Sequence, residues 1–198
     1  LSGPIQRQVS LTTMLALGNP DGSLPAAEQE VESLSTVVPK ATVAVGDKAT
    51  RALLGQFVGG TLHLATHGTI DPRLPSASYL VLAGPDHLLA SQVEDLKLPE
   101  KSTDLVVLSA CNSGTHALDD TGLRSLAGAF MRTGAKRVLG TLWPVNDEAT
   151  SILVLSFYQE MAKGLTPEQA LLTAQSALRG SPRYSDPNLW AAFTLYSP

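Results

Sequence analysis

The 198-residue sequence is short of several things, and each shortage excludes something. It has a single cysteine, Cys111, so no disulfide can form within the chain; that suits a reducing compartment and leaves one thiol to be accounted for. Lysine and arginine total 14 against 18 acidic residues, giving a net charge of −4 and a pI near 5.5, and they form no cluster. The basic footprint of direct nucleic-acid binding or of an anionic membrane surface is missing. No apolar run approaches the roughly 20 residues that span a bilayer, and the N-terminus has no basic segment followed by an apolar one. The expectation is a cytoplasmic protein with no membrane or nucleic-acid partner. Catalytic signatures are scarce too. There is no G-x-S-x-G elbow, no Walker A or G-x-G-x-x-G loop, no C-x-x-C and no H-E-x-x-H, so a serine hydrolase, a nucleotide cofactor, dithiol redox chemistry and a zinc peptidase lose their main support. No metal site has a candidate set of ligands, and no cofactor is expected.

What is present is the balance of one soluble globular domain, 43% hydrophobic and 16% charged. Folding at this length removes about 70% of the extended-chain surface from water, enough for a core without covalent staples. The start at Leu1 is what a domain taken from a longer chain would show. Leu11–Leu17, closed by Gly18-Asn19-Pro20-Asp21-Gly22, reads as a strand and its loop. Ala27, Val31, Leu34 and Val38 recur at helical spacing with Glu28, Glu30 and Glu32 between them, as on an amphipathic helix. Strands follow at Thr42–Val45 and Thr61–Thr66, with a short helix at Thr50–Phe57. Tyr79–Ala83 and Leu88–Ala90 form a hairpin set off the main sheet, and Asp104–Ala110 is a near-continuous apolar strand. The remainder reads as a helix through Leu123–Met131 closed by Gly134, a strand at Lys136–Leu142, helices at Asp147–Lys163 and Pro167–Arg179, and a last strand at Leu189–Tyr196. Such alternation predicts an α/β fold, a mostly parallel sheet with helices on both faces.

Ligands of these sheets bind at the carboxyl ends of the strands. His67 follows the third strand and Cys111 the fourth. If those strands are neighbours, a thiol meets an imidazole, the minimum apparatus for acyl transfer. A free thiol titrates near about 8.5, so the imidazole is needed to raise its thiolate fraction. Taken singly, each residue also has a packing reading, a small core hydrophobe and a hydrogen-bonded histidine. The flanks favour chemistry: Gly68 leaves a backbone N–H open to an incoming carbonyl, and Asn112-Ser113-Gly114 turns the chain at the strand tip. His63, deeper in the same strand, reads as a core histidine. Asp147 opens a helix and reads as its N-cap or as part of the active-site rim.

The segments Leu62-His63-Leu64-Ala65-Thr66-His67-Gly68, Asp104-Leu105-Val106-Val107-Leu108-Ser109-Ala110-Cys111-Asn112-Ser113-Gly114, Leu142-Trp143-Pro144-Val145-Asn146-Asp147-Glu148-Ala149-Thr150 and Leu189-Trp190-Ala191-Ala192-Phe193 resemble, in this order, the CHAT domain. That is a caspase-like cysteine peptidase family related to separase. The resemblance implies a caspase-like three-layer sandwich with a six-stranded, mostly parallel sheet and a small β-hairpin insertion. It implies His67 and Cys111 as the catalytic dyad, the N–H groups of Gly68 and Cys111 as the oxyanion hole, and no obligatory third residue. Where this family commonly has an acidic residue after the cysteine, Asn112 stands here, which bears on how substrate is oriented. Also implied are a protein substrate, a regulatory or sensor module such as a tetratricopeptide domain, and a setting in bacterial defence, often CRISPR-linked.

The sheet order that the resemblance implies, two, one, three, four, sets the loop Gly18–Pro25 beside His67 with Asp21 towards the crevice. Asp119, Asp120 and Asp147 extend an acidic rim, and Gly18–Pro25 contains no Lys or Arg. That sign favours a basic residue just before the scissile bond, as in relatives that cut after arginine. The loop Asn112–Thr121 is expected to be set by the regulatory partner. The expected function is a cysteine endopeptidase under the control of another module; the alternative is a caspase-like scaffold that binds a protein partner without cutting it.

Overall fold

A computed structural model describes residue 9 and residues 11–71, 73–85, 87–99, 102–111 and 121–197, with the backbone alone at 111 and 121–125. Strand and helix alternate much as the patterning predicts. The chain runs through β1 (Met14–Gly18), α1 (Pro25–Val37), β2 (Ala41–Val45), α2 (Arg51–Leu54) and β3 (Gly60–Thr69), then β4 (Tyr79–Val81) and β5 (His87–Leu89). It continues through β6 (Thr103–Cys111), α3 (Thr121–Arg132), β7 (Val138–Thr141), α4 (Asp147–Ala162), α5 (Pro167–Gly180) and β8 (Phe193–Tyr196). The main sheet has the order β2-β1-β3-β6-β7-β8, parallel from β2 to β7 and closed by the antiparallel β8. Its first four strands follow the order that the family resemblance implied.

Successive side chains on a strand face opposite ways, and here both ways are apolar. Leu62, Leu64, Val106, Leu108 and Val138 pack on one side against Leu54, Leu80, Leu88 and Phe130, from α2, the hairpin and α3. Ala65, Leu105, Val107 and Leu139 pack on the other against Val31, Leu34, Leu153, Phe157 and Ala174, from α1, α4 and α5. A parallel sheet covered on both faces needs such continuous apolar runs. Among the described residues no helix is long and apolar enough to cross a membrane.

Strand bounds depart from the sequence reading: the last strand begins at Phe193 rather than Leu189, after a 3-10 turn at Pro187–Leu189, and β3 runs further than expected. β3 does not stop at Thr66 but continues to Thr69, so His67 and Gly68 lie within the strand. The extension pairs antiparallel with the hairpin, Gly68 opposite Leu80 and Thr69 opposite Tyr79, and the hairpin lies off the main strand order, as expected. Thr66 Oγ1 fastens the two by donating to the Val81 carbonyl at 2.8 Å. On the other side of the sheet, α1 approaches β1 closely. A Cβ on Gly18 would sit 2.7 Å from Val31 Cγ2, so only glycine lets the helix lie this near the strand.

Candidate active site

β3 and β6 are adjacent and parallel, and their register sets His67 directly opposite Cys111. Gly68 follows on β3, so the expected dyad and oxyanion positions share one end of two neighbouring strands. Gly68 is also a packing glycine, because a Cβ there would lie 3.3 Å from the Ala110 Cβ and 3.4 Å from Leu80 Cδ2.

The β1–α1 loop delivers two further groups to His67. Ser23 Oγ lies 2.6 Å from His67 Nε2 and donates to Asp21 Oδ1 at 2.7 Å. The Ser23 N–H donates to the same oxygen at 3.1 Å, closing an Asx-turn over Asp21-Gly22-Ser23. Asp21 Oδ2 is itself 3.9 Å from His67 Nε2. A hydroxyl carries one proton, so a Ser23 that donates to the Asp21 carboxylate accepts from the His67 Nε2–H. That leaves the lone pair of the neutral ring on Nδ1, which is buried and has no hydrogen-bond partner among the described residues. Burial pushes the Asp21 carboxyl up, but the Ser23 hydroxyl and amide and the nearby His67 charge outweigh it and hold Asp21 below the ordinary value of 3.8.

Asn19 pins this loop from inside. It is buried, adopts a left-handed φ of 47°, accepts the Leu24 N–H on Oδ1 at 2.7 Å and donates through Nδ2 to Glu28 Oε2 at 2.7 Å. Its own N–H donates to the Ala65 carbonyl on β3 at 2.9 Å.

Asp147 does not cap its own helix. Asn146 does, accepting the Ala149 N–H, while Asp147 Oδ2 accepts the Ala26 N–H at 3.2 Å and so caps α1, which has no side-chain cap of its own. Burial raises the Asp147 carboxyl, opposed by the Ala26 and Ala27 hydrogen bonds and by the charge of His67. The structure thus brings His67, Gly68, Asp21 and Asp147 together at the strand end that bears position 111. The Cys111 side chain, Asn112, Asp119 and Asp120 lie outside the described residues.

Sequence reasoning missed Ser23, whose one local signal was the Asp-Gly-Ser turn pattern, and it missed Glu30. Grouped with Glu28 and Glu32 as a polar position of an amphipathic helix, Glu30 is fully buried on α1. Its Oε2 accepts from Ser109 Oγ at 3.1 Å. Its Oε1 stands 2.9 Å from His63 Nε2, without hydrogen-bond alignment. His63 Nδ1 lies 3.2 Å from the Tyr158 hydroxyl. Burial, and then the Glu30 charge, hold the Tyr158 hydroxyl well above its ordinary titration range, so it keeps its proton. His63 is a core histidine, as its depth in the strand suggested.

The CHAT domain family model matches residues 2–198. A segment of 108 residues is 37% identical to Tetratricopeptide repeat protein 28 of Mus musculus, covering 54% of this chain and 4% of that protein. Among solved structures, the Saccharomyces cerevisiae separase-securin complex superposes with a TM-score of 0.65 at 16% identity, over 98% of this chain and 12% of the matched one. The Arg specific cysteine proteinase gingipain R superposes with a TM-score of 0.63 at 13% identity, over 97% of this chain and 48% of its own. The architecture is the caspase-like fold of these cysteine proteases.

Proposed function

Because this chain belongs to the CHAT domain family, we propose that it is a cysteine endopeptidase with Cys111 as nucleophile and His67 as its base and acid. The observation that carries the reading is the pairing of His67 with Cys111 across adjacent parallel strands, with the Nε2 side of the ring already held by Ser23. Nδ1 takes the thiol proton, and the Cys111 thiolate attacks the carbonyl carbon of the scissile bond. The N–H groups of Gly68 and Cys111 receive the oxyanion. The His67 imidazolium then protonates the leaving amine, and the C–N bond breaks to give a thioester. Water, deprotonated by His67, attacks the thioester; the new carboxyl product departs and the thiol regains its proton. No step draws on a cofactor.

Asp21 and Asp147, with Asn112, Asp119 and Asp120, would line the substrate cleft, and their charge favours a basic residue before the cut. The likeness to an Arg specific proteinase supports the same preference. The tetratricopeptide relative supports control by a regulatory module; a protein substrate and a bacterial cytoplasmic defence setting are what the family resemblance leads this reading to expect. The test is covalent labelling of the activated full-length protein with peptide electrophiles ending in arginine or aspartate, read by mass at the Cys111 peptide. The arginine probe should modify Cys111 faster. A folded protein that neither probe labels would return the chain to the non-cleaving scaffold.

A further inference from the structure

We infer that Glu30 is a positioning residue for the dyad, joining at one buried carboxylate the two strands that carry His67 and Cys111 and the helix whose preceding loop brings Ser23 to His67. The inference rests on the endopeptidase reading above. His63, Ala65 and His67 lie on one face of β3, and the register opposes Ala65 to Ser109 and His67 to Cys111. Ser109 is therefore one step below the position of Cys111 on β6, about 7 Å along the strand, and His63 is two steps below His67 on β3. Glu30 reaches both, Ser109 through Oε2 and His63 through Oε1. Among the described residues its polar contacts are Ser109 and His63, with Tyr158 behind the imidazole.

Stability alone does not account for a carboxylate at this place. Both Glu30 and His63 side chains are 0% exposed, desolvation of such a pair is costly, and well-packed apolar residues often replace it without loss. What an apolar side chain cannot supply is direction. A carboxylate that accepts from β6 and faces the β3 imidazole fixes how α1 sits on both strands, and α1 is entered through the loop that carries Asp21 and Ser23. A dyad is sensitive to displacement on this scale, because a misplacement of about 1 Å can cost about a hundredfold in rate. Loosening this link frees Ser23 from His67 Nε2 and weakens the thiolate–imidazolium pair.

The test follows the alkylation of Cys111 by iodoacetamide against pH in the full-length protein, read at the peptide that contains Cys111, with thermal melting alongside. Wild type is compared with Ser109→Ala, Glu30→Gln and His67→Ala. Ser109→Ala and Glu30→Gln should remain folded, react about tenfold more slowly at pH 7, and shift the reaction midpoint upward by about one unit, towards that of His67→Ala. Should Glu30→Gln fail to fold, Ser109→Ala, which keeps the carboxylate and its His63 contact, decides the matter. Midpoints that stay at the wild-type value in the folded variants while His67→Ala shifts overturn the role of Glu30 alone. A His67→Ala midpoint equal to wild type overturns the dyad, and this inference with it.

Discussion

His63 and His67 share one face of one strand, and their surroundings assign them different tasks. His63 is enclosed by Glu30 and Tyr158, whereas His67 meets a solvent-facing loop through Ser23 and Asp21. His63→Ala leaves the buried Glu30 carboxyl and Tyr158 hydroxyl without the imidazole and opens a cavity between them, so it should cost about 3 kcal/mol in denaturant unfolding. His67→Ala should shift the same transition by less than about 1 kcal/mol while abolishing peptide cleavage. The reverse pattern would assign the catalytic task to the other histidine. The two aspartates at the site differ in sign. Asp21 is held below 3.8, so its ties to Ser23 and His67 are complete above that pH and are lost as acid passes through the lowered value. A histidine NMR titration should show the His67 ring changing environment in that acid range, and a ring signal flat across it would deny the Asp21 link. Asp147 is raised above 3.8, so the cost of its charge sets in as pH rises through that range and is fully present at neutrality. Asp147→Asn keeps an acceptor for the Ala26 N–H without the charge and should leave neutral stability within about 0.5 kcal/mol. Asp147→Ala, which uncaps α1, should cost about 1 kcal/mol. Equal losses in both variants would mean that the charge, not the cap, is what α1 uses.

At the level of elements, the legible parts of the sequence were those whose burial is written locally. Leu62, Leu64, Val106 and Leu108 alternate with Ala65, Leu105 and Val107, and an apolar run on both parities can only be a strand covered on two faces. The end of β3 was not legible. Thr66-His67-Gly68-Thr69 contains no apolar residue, and it is a strand because β6 and the hairpin pair with it, which is tertiary information. Glu30 carried a usable signal, since Ala27, Glu30, Val31 and Leu34 occupy i, i+3, i+4 and i+7, the buried stripe itself. Asp147 capping a helix far away in sequence carried none, because nothing local states that α1 and α4 start side by side. The closeness of α1 to β1 can be tested directly. Gly18→Ala places a methyl 2.7 Å from Val31 Cγ2 and 3.1 Å from the Ala27 carbonyl oxygen, and it should cost about 1–3 kcal/mol while drawing Ser23 away from His67. Wild-type stability in that variant would show that the helix has room the structure does not give it.

At the level of the whole molecule, the sheet brings the ends of β1, β3 and β6 to one edge, and each contributes to one site: the Asp21–Ser23 loop, His67 with Gly68, and position 111. The family match spans residues 2–198, and the segment aligned with the tetratricopeptide relative is 4% of that protein; the proposed function sets catalysis under a regulatory module. The 198 residues alone should turn over peptides weakly, and the full chain with its activating partner should do so faster. Equal rates from both would remove the regulatory module from the account. The central claim is that Cys111 cuts peptide bonds. Its most direct test is mass analysis of a peptide library incubated with the activated full-length protein and with its Cys111→Ala variant at matched stability. Cuts after lysine or arginine from the wild type, and none from the variant, are the predicted result; undiminished cutting by Cys111→Ala would contradict it.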